Sequence, residues 1–277
     1  MSMPNIDWNE VWQGSCMHHA KPKHDGKKFW DKRAPEFTRA VAAGDYVEQF
    51  MALLRPDPEW SVLDMGCAAG TLAVPLAKEV GSVTAVDPSS RMREMLQDRC
   101  DGAGLTNVRV VEGRWQDDWE KLGIGRHDVV IGSRSLIVDD LKGAVIKAHR
   151  FARKKVFLSA LVGEGPHDGR IIKATGRKFK TGADYIVVLN LLRQLGIFAN
   201  VAFTYNERDK TFADLDDALE GVRWMVHEMT DEEEANLRDY LAKALVEENG
   251  RLRLPDQGPV RWAVLYWDKK TGCDSRL

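Results

Sequence analysis

Val62-Leu-Asp64-Met-Gly66-Cys67-Ala68-Ala-Gly70-Thr71 is the stretch on which the fold turns. An apolar strand-like run reaches an acid, passes through a turn of small residues, and enters a helical pattern. Small residues are needed where backbone must approach a nucleoside closely and a helix must pack tightly on its strand. Gly66, Ala68 and Gly70 meet that need. As a dinucleotide fingerprint the stretch fails. The positions of G-x-G-x-x-G would fall on Gly66, Ala68 and Thr71, and two of these are not glycine.

Working outward, four more β-branched apolar runs occupy 82–86, 107–111, 127–131 and 155–159. Helical patterns separate them: 71–80, a stretch opened by Pro88-Ser89-Ser90, and 139–149. Strand followed by helix, repeated, predicts right-handed βαβ crossovers in a doubly wound sheet. Beyond the fifth run, 163–182 reads as a polar, basic loop, followed by a helix over 183–195 that Gly196 ends. Strands near 200–205 and 260–267 suit an antiparallel hairpin at the sheet edge. Thr230-Asp-Glu-Glu233 has the capping-box form and opens a helix toward Leu245. The fold class expected is α/β: a doubly wound, seven-stranded, mostly parallel sheet with an antiparallel edge hairpin. Residues 1–55 are expected to form an N-terminal helical lid. The main domain would span 56–277, with a helical insert at about 207–250.

Asp87 stands at the end of the second strand, 21 residues after Gly66. A carboxylate there can accept both hydroxyl protons of a ribose, whereas an amide accepts only through its oxygen. The plainer alternative for Asp87 is a helix N-cap.

The D-x-G-x-x-x-G spacing, with an acid ending strand two, resembles class I (Rossmann-like) S-adenosylmethionine-dependent methyltransferases over about residues 60–160. That resemblance implies an S-adenosylmethionine cofactor held by Asp64, Gly66, Cys67, Ala68, Gly70, Asp87 and Pro88. Glu112-Gly-Arg114-Trp115-Gln116 takes the place where the family contacts adenine. Many members carry an acid where this chain has Arg114, so the adenine amino group falls to Asp117 or to backbone atoms. Trp115 either lies against the ring or belongs to the core. Gly132-Ser133-Arg134-Ser135 fills the family's fourth motif, beside the methyl donor. Small-molecule members often fold N-terminal helices over the cofactor, which here assigns Trp30 and Arg33 to a lid, Arg33 sharing a helical stripe with Phe29 and Phe37. Methyl transfer to a good sulfonium leaving group can rest on alignment and desolvation. No catalytic residue is therefore assigned.

Several subclasses are excluded. The chain has no Pro-Pro-(Tyr/Phe) motif of exocyclic-amine methyltransferases and no Pro-Cys nucleophile. Asp139-Asp140 could echo a magnesium site, yet an Asp pair opening a helix is ordinarily a cap. Cys16, His18, His19 and His24 match no structural zinc spacing. No metal is expected. Four cysteines without a CxxC pair suggest reduced thiols, and with no apolar leader or spanning run a cytoplasmic, membrane-free location is expected.

Net charge is −2 over 277 residues, so no global field recruits nucleic acid. Locally, 142–180 carries 11 Lys/Arg against 2 Asp/Glu, and 207–248 carries 5 against 14. An RNA binder would interleave its cations with stacking aromatics. Of Phe151, Phe157 and Phe179, the first two read as buried, which favours a small-molecule acceptor over an RNA methyltransferase or RNA-binding protein on the same fold. A degenerate cofactor-binding fold acting as a sensor is a third reading. The acceptor atom and the oligomeric state are not legible.

Overall fold

The computed structural model describes residues 6–15, 30–31, 34, 45–207 and 210–269. Among them the chain forms two compact units. The first comprises the chain up to residue 161, with 183–204 and the segment from 262; the second comprises 162–182 and 205–261.

In the first unit the described elements are α1 (Trp8–Gln13), α2 (Tyr46–Leu54), β1 (Ser61–Met65), α3 (Ala73–Ala77), β2 (Ser82–Asp87), α4 (Ser90–Gly102), β3 (Val108–Glu112), β4 (His127–Gly132), α5 (Leu141–Phe151), β5 (Ala152–Leu161) and α7 (Tyr185–Gln194). Two late strands complete it: β6 (Asn200–Asn206), whose last residues enter the second unit, and β10 (Val260–Asp268). The sheet order is β3-β2-β1-β4-β5-β10-β6. β1 pairs in parallel with β2 and β4, β2 with β3, and β4 with β5; β10 runs antiparallel to β5. The seven-stranded, mostly parallel sheet expected from the sequence is thus present.

The pleat sets the core. Alternate residues Val62, Val83, Ala85, Val129, Ile131, Phe157 and Val264 share one cluster with Phe50, Leu72, Leu76 and Leu96. Strands buried on both faces read as continuous apolar runs, which is why they were legible. The helix expected over 71–80 is shorter, Ala73–Ala77. Its flanks are turns, since Lys78 and Glu79 bond only three residues back. At the other face α1 packs against α5 and α7.

The second unit holds α6 (Gly169–Ala174), β7 (Thr211–Phe212), α8 (Leu215–Arg223), α9 (Asp231–Ala244), β8 (Val246–Glu248) and β9 (Arg251–Arg253). Its three strands form a small sheet, β7-β9-β8, antiparallel throughout. Ile171, Phe212, Leu219, Val222, Leu237, Leu241 and Leu254 make its core. The segment read as a loop over 163–182 therefore contains a helix, N-capped by Asp168 and burying Ile171. Both bonds of the capping box at Thr230 and Glu233 are formed. No described helix is long and apolar enough to cross a membrane.

Candidate functional site

The chain leaves β1 for β2 and β3 on one side and returns to β4 on the other. That reversal opens a crevice at the carboxyl ends of β1 and β4, where open α/β sheets bind ligands. The β1–α3 turn lines it. Gly66 and Gly70 take φ of +77° and +80°, and Ala68 takes +49°. A Cβ on Gly66 would overlap Ser135, and one on Gly70 would overlap Leu96. Both glycines are thus required by conformation and by space. The amides of Gly66 and Cys67 donate to the Val86 carbonyl at 2.7 and 3.0 Å, tying the turn to the end of β2.

Two acids face this turn. Asp64 is 1% exposed, and its Oδ1 has no hydrogen-bond partner. Burial, then the nearby charge of Asp87, pushes its carboxyl up to about 7, while the Ala73 amide favours the charged form. A buried carboxylate oxygen with no donor is a costly feature unless a ligand supplies one. An ammonium group would. Asp87 is also buried, and its Oδ2 and Oδ1 accept the amides of Ala68 and Ser89, both at 2.9 Å. Burial raises its pKa, opposed by those two amides and by Arg93. A carboxylate offers about four lone-pair sites, so two remain for a diol. Asp87 does not itself cap α4; Ser89 does, accepting the Met92 amide at 3.1 Å.

The N-terminal segment reaches the same place. Trp30, Ala68 and Met95 pack against a buried cluster of Ala34, Ala69 and Met92. The Ser89 hydroxyl donates to Asp31 at 2.5 Å. Arg33, Phe29 and Phe37 lie outside the described residues. Pro88 is partly buried between Asp87 and Ser89.

Past β3, Arg114 and Gln116 are exposed and Trp115 is buried. The Trp115 ring packs on Gly132, where a Cβ would come within 2.6 Å, and against Trp119 at 5.6 Å. Its indole N–H is buried and without a partner. Asp117 accepts the Arg114 amide at 2.8 Å, which shapes the turn below the ring. Lys147 closes the turn from α5, donating to the carbonyls of Trp115 and Asp117.

Past β4 the structure gathers residues from distant elements around Ser133, Arg134 and Ser135. Ser135 Oγ donates to the Met65 carbonyl at 2.5 Å, against the β1 turn. Arg134, at φ +54°, donates its amide to Ser159 Oγ at 2.6 Å. Its guanidinium lies 4.0 Å from the Tyr46 ring centroid and 5.9 Å from that of Trp262. The Tyr46 hydroxyl meets Ser133 Oγ at 2.6 Å and donates to Ser159 Oγ at 3.4 Å. Burial raises the Tyr46 pKa and lowers that of Arg134. Tyr46, Ser159 and Trp262 come from α2, β5 and β10 respectively. Only the topology brings them beside Ser133 and Arg134, and nothing local in the sequence marks them.

Comparison with known proteins agrees with this geometry. A family model described as a methyltransferase domain matches residues 62–155. An uncharacterized protein of Haemophilus influenzae is 30% identical, the match covering 97% of this chain and 98% of that one. The crystal structure of a Bacillus halodurans C-125 protein, provisionally assigned as a methyltransferase, superposes with TM-score 0.55 at 17% identity, over 80% of this chain and 97% of that one. That of a SAM-dependent methyltransferase from Thermotoga maritima, described as a possible histamine N-methyltransferase, gives TM-score 0.50 at 18% identity, over 89% and 100%. At such identities the likeness to the two structures is one of fold.

Proposed function

Because the chain belongs to the class I S-adenosylmethionine-dependent methyltransferase family, we propose that it methylates a small-molecule acceptor at the carboxyl edge of its sheet. The residues present suit the cofactor. The partnerless Asp64 oxygen suits an α-ammonium group, and the two spare lone-pair sites of Asp87 suit a ribose diol. Gly66, Cys67, Ala68 and Gly70 leave room along the turn, with Pro88, Arg114, Trp115 and Gln116 toward the nucleoside end and Ser133 toward the reacting end. When bound, the cofactor supplies a methyl group on a sulfonium that is already a good leaving group. The protein's contribution is then alignment and exclusion of water. Trp30, packed against the cluster of Ala34, Ala69 and Met92 beside the turn, would help to exclude it.

The observation that carries the small-molecule reading lies in the basic segment. Arg170 forms an ion pair with Asp168 at 2.9 Å, and Arg177 binds Glu233 through Nε and Nη2 at 2.5 and 2.7 Å. Arg177 also donates to the carbonyls of His227 and Glu228, so it is engaged on every side. Phe151 and Phe157 are buried, and the Phe179 ring packs over Gly169. Two arginines of the segment are thus held by internal partners and two of its three aromatics are buried, which supports a small-molecule acceptor over RNA, although Lys173, Lys178 and Lys180 are exposed.

Two measurements test this. Purified protein with labelled S-adenosylmethionine should methylate a component of a low-molecular-weight metabolite pool and leave total RNA unlabelled. RNA affinity should be weak, with a shallow dependence of log K on log salt concentration. Labelled RNA with a steep salt slope would overturn the small-molecule reading.

A further inference from the structure

The candidate site uses the carboxyl edge of the parallel strands, and the amino edge carries a concavity of its own. β4 begins at His127, β5 begins at Ala152, and the antiparallel β10 ends at Asp268. Arg126, Phe151 and Lys269 therefore stand together at that edge. A cavity of about 390 Å³ opens among them. The length of β4, six residues at about 3.3 Å each, separates it from the crevice. Buried Ile124 and Phe151 line it, with Arg126, Arg150 and Lys269 against one acid, Glu120, among the described residues.

The carboxyl end of α5 favours a cation, which accounts for Arg150 taken alone. It does not account for Arg126, which arrives from the turn before β4. There its Nη2 donates to the Ala152 carbonyl at 3.1 Å, fixing the guanidinium at the start of β5. That bond uses one of the five N–H donors of an arginine. Other cations at this edge are held by acids: Lys154 lies 3.3 Å from Asp128, and Lys155 lies 2.7 Å from Asp268. Arg126 and Arg150 are exposed, and among the described residues neither has a carboxylate partner.

We propose that this cavity is a second ligand site, in which Arg126 and Arg150 bind the phosphate group of a small molecule. Two guanidinium forks on one concavity match phosphate oxygens in geometry as well as in charge. The volume exceeds what a bare phosphate fills and lies in the range of small-metabolite pockets. Occupancy needs nothing from Asp64 or Asp87, so this site stands or falls independently of the methyl-transfer reading.

The test titrates the full chain by calorimetry at low ionic strength, with and without saturating S-adenosylhomocysteine. The probes are inorganic phosphate, phenyl phosphate and ribose 5-phosphate, beside phenol and ribose as neutral counterparts. At least one phosphate compound should bind with Kd below about 1 mM, and neither neutral counterpart should. Arg150→Ala and Arg126→Met should each weaken that binding by roughly tenfold. Lys121→Ala removes an exposed cation 3.6 Å from Asp118 and outside the cavity lining, and should change it less than about twofold. S-adenosylhomocysteine should leave phosphate affinity unchanged, since the two sites lie at opposite edges. An ester binding tighter than inorganic phosphate identifies the occupant as a phosphorylated metabolite, and equal affinities identify it as the free anion. Absence of binding by all three phosphate compounds would overturn the proposal. So would affinity that survives in Arg150→Ala, an equal loss in Lys121→Ala, or displacement by S-adenosylhomocysteine, which would move the phosphate to the crevice. Should Arg126→Met fail to fold, Arg150→Ala decides alone, its side chain making no bond among the described residues.

Discussion

Ser135 lies against Gly66 so closely that a single Cβ on the glycine would overlap the serine side chain. The contact joins the turn after β1 to the turn after β4, the two walls of the crevice. Gly66→Ala should therefore cost both left-handed strain and a steric clash, together about 3 kcal/mol or more. Gly104, at φ +66° with open space around it, supplies the control. Gly104→Ala should cost only about 1 kcal/mol. Urea unfolding of the two variants checks the difference, and equal losses would mean that the crevice walls can part.

Asp87 sets the second expectation. S-adenosylhomocysteine should raise the thermal midpoint, because it binds only the folded state, while NAD and ATP do much less. Asp87→Ala should weaken that binding by roughly one to two powers of ten, from charge-assisted hydrogen bonds worth about 1.5–3 kcal/mol. The same variant strips acceptors from the amides of Ala68 and Ser89, so Asp87→Asn is the gentler probe. No thermal shift with millimolar S-adenosylhomocysteine would sink the cofactor assignment.

What the sequence disclosed follows from the range over which each signal acts. The β1 turn, Asp87 and the Thr230 capping box are local, and each was readable from residues within one turn or one strand. The Tyr46–Ser133–Arg134–Ser159–Trp262 group is not local, since it draws on four elements that only the sheet order brings together. Two kinds of element were invisible for other reasons. α6 is six residues long, too short to show a 3.6-residue period, and it hides in a basic, glycine-rich stretch. β8 reads Val-Glu-Glu and is exposed along its length, so no apolar alternation betrays it. Trp115 was equally compatible with a core or an adenine-stacking role, and its buried ring with a partnerless indole N–H keeps both properties in one residue.

Cys67 invites suspicion because it sits inside the β1–α3 turn proposed to hold the cofactor. Burial and the charges of Asp64 and Asp87 push its thiol well above the ordinary range, so no thiolate forms at neutral pH. A thiol in that state is a poor nucleophile. Cys67→Ala should keep turnover within about threefold and should resist loss of activity on treatment with iodoacetamide no better than the parent. Complete loss of turnover with cofactor affinity intact would reveal covalent chemistry.

Asp64 yields a pH prediction whose sign can be worked out. Its folded-state pKa, about 7, lies above the ordinary value of 3.8, so folding takes up a proton between those two values. Stability then falls as pH rises through that window, and the charged carboxylate remains a liability above pH 7. Asp64→Asn should therefore raise the melting temperature of the cofactor-free protein at pH 8, by about 2 °C or more, and change it little at pH 4. Cofactor binding runs the other way. An α-ammonium group favours the ionised carboxylate, so S-adenosylhomocysteine affinity should rise with pH up to about 7 and level off beyond it. Asp64→Asn should bind more weakly and lose that dependence. Calorimetric titrations between pH 5.5 and 8.5 on both proteins decide the point. An affinity that is flat with pH in the parent, or sloped equally in Asp64→Asn, would remove Asp64 from the cofactor site.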